Sequence, residues 1–216
     1  MLWHLAADSS LQFIEPFEHV AEVERLRRLN RNIEAVKLLL IAESHVRVRD
    51  IGNRGAGFVY EPRYYTPWWH SLFLPAFGAN FVRTNARVRN SCLHRMAAAG
   101  FWLLDASILS LSGYKKVNHS QSRPFQNEAL QELIESSWQN HVEAQFDGIM
   151  RQQKRPVVIM FENLRSCLPI TPDFNIKFEC ASNSRVYRGI DYKWGTETFK
   201  KAAREAGIHD CLTCLS

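Results

Sequence analysis

The chain has 216 residues, of which 46% are hydrophobic, 23% charged and 12% aromatic, and its 27 Lys and Arg outnumber its 22 Asp and Glu for a net charge of +5. These values exclude a disordered polymer and leave room for one well-buried domain, not two comfortable ones. No stretch approaches the roughly 20 apolar residues of a membrane helix, and Met1-Leu2-Trp3-His4 lacks the basic start of a secretory leader, so the expected location is intracellular: cytoplasmic in a bacterium, nuclear in a eukaryote.

Apolar residues at Val20, Ala21, Val23, Leu26 and Leu29 recur at helical spacing among charges, which predicts a helix over 18–31 packing one face. Residues 36–42 are apolar and uninterrupted after Lys37, a run of strand length, as in a parallel sheet buried on both faces. Residues 44–75 have no period; Gly52, Gly55, Gly57, Pro62, Pro67 and Pro75 mark a long structured loop, a feature usually tied to function. A second helix is expected over 84–99, with Val88, Cys92, Leu93 and Met96 inward and Gly100 as its cap, followed at once by a strand over 101–105. Residues 127–153 read as one long helix or two broken near Asp147-Gly148, 156–161 as another strand and 174–180 as a weaker one. Residues 196–206 read as a closing helix stopped by Gly207. Strands alternating with helices predict an α/β fold: three layers, α/β/α, around a central, mostly parallel sheet. The whole chain is expected to be one domain, with 1–35 as an N-terminal helical segment and 36–207 as the core.

The five cysteines form no disulfide framework, and Cys211-Leu212-Thr213-Cys214 stands without a second pair, so free thiols are expected, with no metal and no cofactor. Between Arg47 and Arg95, arginines recur at 49, 54, 63, 83, 87 and 89 with Tyr60, Tyr64, Tyr65, Trp68 and Trp69 interleaved. Cations that hold phosphates and rings that stack bases fit a nucleic-acid partner; a solvated basic face over an aromatic core edge accounts for the same residues. Parallel sheets bind ligands beyond the carboxyl ends of their strands, which selects 43–49, 105–118, 162–165 and 180–189 as site segments.

Along the chain Ala42-Glu43-Ser44-His45-Val46 closes the first strand, Gly57-Phe58-Val59-Tyr60 comes next, Leu103-Leu104-Asp105 ends the second strand, with Val117-Asn118-His119-Ser120 beyond it, and Cys180-Ala181-Ser182-Asn183-Ser184-Arg185-Val186-Tyr187-Arg188-Gly189 lies near the end. Their order resembles the uracil-DNA glycosylase superfamily, whose motifs are GQDPYH or GEAPG, a Gly-x-x-aromatic element, LLLN and HPSPLSVYRG. The similarity spans about residues 36–207, and Val186-Tyr187-Arg188-Gly189 agrees letter for letter with the last motif. An unrelated Rossmann-like or flavodoxin-like domain is the competing fold, although neither GxGxxG nor a P-loop is visible.

The resemblance implies hydrolysis of the bond joining a flipped base to deoxyribose. It places Glu43 where a carboxylate orients water and faces the oxocarbenium-like sugar; a Glu bonded to loop amides is the structural alternative. His45, in the place of the motif proline, could donate or accept nearby, or simply lie on the surface. Cys180 takes the place of the leaving-group His, and a thiol is a weak donor. Ser182, Asn183 or a nearby basic residue would have to substitute, or activity is slow or absent. Asp105 replaces the Asn that reads uracil: an ionised carboxylate only accepts, favouring an exocyclic amino group, whereas a protonated one restores donor and acceptor together. An Asp that caps the next turn is the alternative. Tyr60, with Phe58 as runner-up, is the stacking ring, though core packing explains either. Ser184 falls at the wedge position, while Arg185 and Arg188 suit phosphate. The expected function is therefore that of a monomeric DNA glycosylase acting on a modified base in DNA, double- or single-stranded. The alternatives are a catalytically impaired DNA-binding member of the same fold, or a flavodoxin-like small-molecule enzyme.

Overall fold

The computed structural model describes residues 20, 21, 24, 25, 27, 28, 36–44, 86–109, 128–154, 156–160, 164, 168 and 193–210. Within them lie three strands and four α-helices: β1 (Leu38–Ser44), α1 (Ala86–Ala99), β2 (Phe101–Ser107), α2 (Glu128–Ser137), α3 (Glu143–Met150), β3 (Val157–Met160) and α4 (Lys193–Glu205). Residues 20, 21, 24, 25, 27 and 28 are also helical.

The strands form a parallel sheet in the order β2-β1-β3. Leu38, Leu39 and Ile41 are wholly buried on the central strand, as expected of an apolar run covered on both faces. Side chains alternate along a strand, so Leu38, Leu40, Ala42, Phe101, Leu103, Asp105 and Ser107 share one face, and Leu39, Ile41, Glu43, Trp102, Leu104 and Ala106 the other. The Leu38 N–H donates to the Gly100 carbonyl on the β2 side. With that orientation, a right-handed crossover from β1 to β2 puts α1 over the face of Asp105; the return from β2 past β1 to β3 puts α2 and α3 over the face of Glu43. Two interactions agree with this first layer: Arg27 reaches Asp105, and Phe199 of α4 meets Phe101 edge-on with ring centroids 5.8 Å apart. The chain is therefore an α/β fold with helices on both faces of a small parallel sheet.

Helix ends follow local chemistry. Gly100 ends α1 at φ 98°, and its carbonyl takes the N–H groups of Lys37 and Leu38, tying the helix end to the start of β1. After α4, Gly207 adopts φ 67°; its N–H bonds to the Arg204 carbonyl, and the N–H of buried Ile208 bonds to the Ala203 carbonyl. This paired closure needs a left-handed residue, which glycine supplies without a Cβ clash.

Three expectations are corrected. In α1 the buried stripe is Arg89, Cys92, Leu93, Met96 and Ala97, with Val88 exposed: the i, i+3, i+4, i+7 pattern starts at Arg89, so the helix is turned by about one position. In the first helical segment Val20 and Arg27, seven residues apart, are buried, whereas Ala21 is exposed. Finally, the helix over 128–150 runs through Asp147-Gly148. Its irregularity is a π turn at Trp138–Val142, where the Glu143 N–H reaches the Trp138 carbonyl five residues back. The inserted residue keeps Trp138, Val142 and Phe146 all buried, and the Trp138 and Phe146 rings pack 5.3 Å apart. The predicted strand over 174–180 lies outside the described residues.

Candidate functional site

Among the described residues β1 pairs with β3 to Ile41↔Met160 and with β2 to Ser44↔Ser107. Strand order reverses between β1 and β3, and in wound sheets that reversal opens the ligand crevice at the carboxyl ends. Glu43 lies there, on the end of β1, 4% exposed.

Asp105 lies on the neighbouring strand, in register with Ala42 and on the opposite face from Glu43. Strand β2 runs two residues past it, so Asp105 is inside the strand and not at its end. Its Oδ2 accepts from Arg27 Nη2 at 2.5 Å, and both side chains are 2% exposed. Arg27 Nη1 also donates to Glu24, one helical turn earlier. This Asp105 oxygen is taken up by the guanidinium, and an ionised carboxylate can only accept. The same pair pins the N-terminal helical segment to the sheet.

The chain leaving β2 is held by two hydroxyls. Ser107 is fully buried; its Oγ accepts from the Leu109 N–H at 3.2 Å and donates to the Leu109 carbonyl at 3.1 Å, closing a local turn. Ser137, at the end of α2, accepts the Ile108 N–H at 2.9 Å. Together they fix the direction in which the segment after β2 departs. Arg27, Ser107 and Ser137 were not singled out from the sequence. For Arg27 a signal existed: it stands seven residues after buried Val20 and three after Glu24, on one helical stripe. The serine bonds depend on where α2 lands, which no local spacing encodes.

Cys92 is a buried free thiol in α1. Burial pushes it up to about 12 from an ordinary 9.0, against an opposing pull from the Arg95 cation. It is therefore a protonated core side chain and not a nucleophile at neutral pH.

Of the site residues singled out from the sequence, the structure describes Glu43 and Asp105. It brings them to adjacent strands near one sheet edge but on opposite faces. Of the arginine run it describes Arg87 and Arg95, which are exposed, and Arg89, which is buried and so not placed to hold a phosphate. His45, Phe58, Tyr60, Cys180, Ser182, Asn183, Ser184, Arg185 and Arg188 lie outside the described residues, as does Asn118. Among the described residues, no helix is long and apolar enough to cross a membrane. Comparison with protein-family models, with curated proteins and with solved structures finds no match.

Proposed function

We propose that this chain is a DNA glycosylase-like protein of uracil-DNA glycosylase-like fold that hydrolyses the bond between a flipped, modified base and its deoxyribose. The observation that supports the reading best is Glu43: a buried carboxylate at the carboxyl end of the central parallel strand, where strand order reverses and wound sheets bind ligands. In the reaction the C–N bond breaks and its electron pair leaves with the base. Water adds to the sugar carbon, and Glu43 takes the water proton while its charge faces the cationic sugar. Tyr60 or Phe58 would stack the base, Cys180 would stand beside the leaving group, and 182–188 would face DNA.

The test is release of free base from oligonucleotides carrying uracil, hydroxymethyluracil or hypoxanthine, read as alkali-labile cleavage. Wild type should release base from at least one of these, and Glu43→Gln should slow release by roughly a hundred- to ten-thousandfold. Absence of release from every substrate ends the catalytic reading.

One observation favours a second reading, a member of this fold that binds DNA without cleaving the glycosidic bond. Asp105, where the resemblance puts the base-reading residue, is committed to Arg27 inside the fold. The strand order 2-1-3 is also that of flavodoxin-like sheets. Salt-dependent DNA binding separates both glycosylase-fold readings from a small-molecule enzyme, and base release separates the first from the second.

A further inference from the structure

The two helical layers carry opposite charge. Helix α1 holds three Arg and a His and no acid, whereas 128–150, on the other face of the sheet, hold five acids and neither Lys nor Arg. On α1 the charges divide by burial. Arg89 is 7% exposed and turned into the core, while Arg87, Asn90, Ser91, His94 and Arg95 are exposed. Arg87, Ser91 and Arg95 recur every four residues, so they lie along one side of the helix, with His94 beside Arg95. Arg28, Lys201 and Arg204, also exposed, belong to elements of the same layer. Across the sheet, Glu132 and Glu135 are exposed.

We infer that the outer side of α1, Arg87-Ser91-Arg95 with His94, is a docking surface for the phosphate backbone of a nucleic acid, engaged without reading sequence. The inference rests on the nucleic-acid reading above and narrows the arginine run to the part of it that lies outward on α1. The geometry suits the ligand. Eight residues of helix advance about 12 Å, between three and four base-pair steps of about 3.4 Å, so Arg87 and Arg95 can meet separate phosphates of one backbone. Helix α1 runs antiparallel to the strands it connects, so Arg87 lies toward the carboxyl edge that holds Glu43 and Arg95 toward the opposite edge. A backbone following the stripe would be led to the edge of the candidate site. Among the described residues, helix 128–150 on the opposite layer carries acids and neither Lys nor Arg, and repels the same polymer.

The test is fluorescence anisotropy of a labelled, unmodified DNA duplex titrated with the full chain between about 50 and 200 mM salt. Binding by wild type should weaken steeply with salt. In Arg87→Gln with Arg95→Gln, the log–log slope should become shallower by about 2, roughly 0.9 for each phosphate no longer neutralised, with an unchanged melting temperature showing that the fold is intact. Arg151→Gln, exposed on the other layer, should leave the slope as in wild type. Equal slopes in wild type and the double variant overturn the inference, as does a wild type that binds no duplex. Base release measured on the same proteins at saturating concentration separates the two claims. Release retained alongside unchanged slopes sinks only the surface; a shallower slope without release sinks only the catalytic reading.

Discussion

Replacing Arg27 by Met removes one charge from a pair in which both side chains are 2% exposed and keeps most of the aliphatic stem. Unit charges about 4 Å apart attract by about 4 kcal/mol at an effective dielectric near 20. Deleting one partner of a buried pair costs about 3–5 kcal/mol, because the remaining charge stays desolvated. Glu24, also bonded to Arg27, is left without that partner too, but at 20% exposure water compensates it. Each kcal/mol moves the midpoint of a domain of this size by about 2–4 °C, so Arg27→Met should lower the melting temperature by about 6–20 °C. Adding Asp105→Leu to Arg27→Met should restore most of that loss, since exchanging both partners for apolar groups strands no charge. Thermal and urea melts of the two single variants and the double variant complete the cycle. A loss below about 1 kcal/mol for Arg27→Met, the range of solvated surface pairs, would refute the anchoring role. So would a double variant no more stable than Arg27→Met alone.

Cys92 ties stability to pH. Its folded value is raised, so the thiol's contribution is complete below about pH 9 and declines as pH climbs toward about 12. Melting curves over that window should therefore fall more steeply for wild type than for Cys92→Ala, and parallel curves would contradict the assignment. Gly148 lies inside α3, and a Cβ added there meets nothing within 4 Å. Gly148→Ala should accordingly raise unfolding free energy by about 0.5–1 kcal/mol in urea titrations; any loss would mean that a methyl group does not fit there. Gly207→Ala is expected to do the reverse, costing about 1–2 kcal/mol by the same measurement, because its φ of 67° is left-handed; neutrality would show that the closing turn can re-form without it.

The strands were legible because burial on both faces writes an uninterrupted apolar run, as in 38–41, 101–104 and 157–160. Helix ends were legible where a glycine must turn left-handed, at Gly100 and Gly207. The sequence misled where a local signal had two physical meanings. Asp147-Gly148 reads as a breaker, yet the helix passes through it and takes its irregular turn earlier, at Trp138–Val142, where the Trp138 and Phe146 rings must both reach the core. Asp-Ala-Ser after Leu104 reads as the start of a turn, yet pairing with β1 extends the strand to Ser107 and buries Asp105. The Arg27–Asp105 bond joins residues 78 apart in the chain, a separation that periodicity does not span. For the candidate site, Glu43 was legible as the polar residue ending an apolar strand. That Asp105 faces the opposite way follows only from the strand register.

The division of charge between the described helices of the two layers contributes to the domain an electric moment directed across the sheet. In the field of a distant polyanion such a body feels a torque before any contact forms, so it tumbles preferentially with α1 leading. Fewer collisions are then spent in the wrong attitude, and the orientational search shortens in low salt. Above about 0.15 M ionic strength, where the screening length falls to about 8 Å, only the last few ångströms of approach would still be guided.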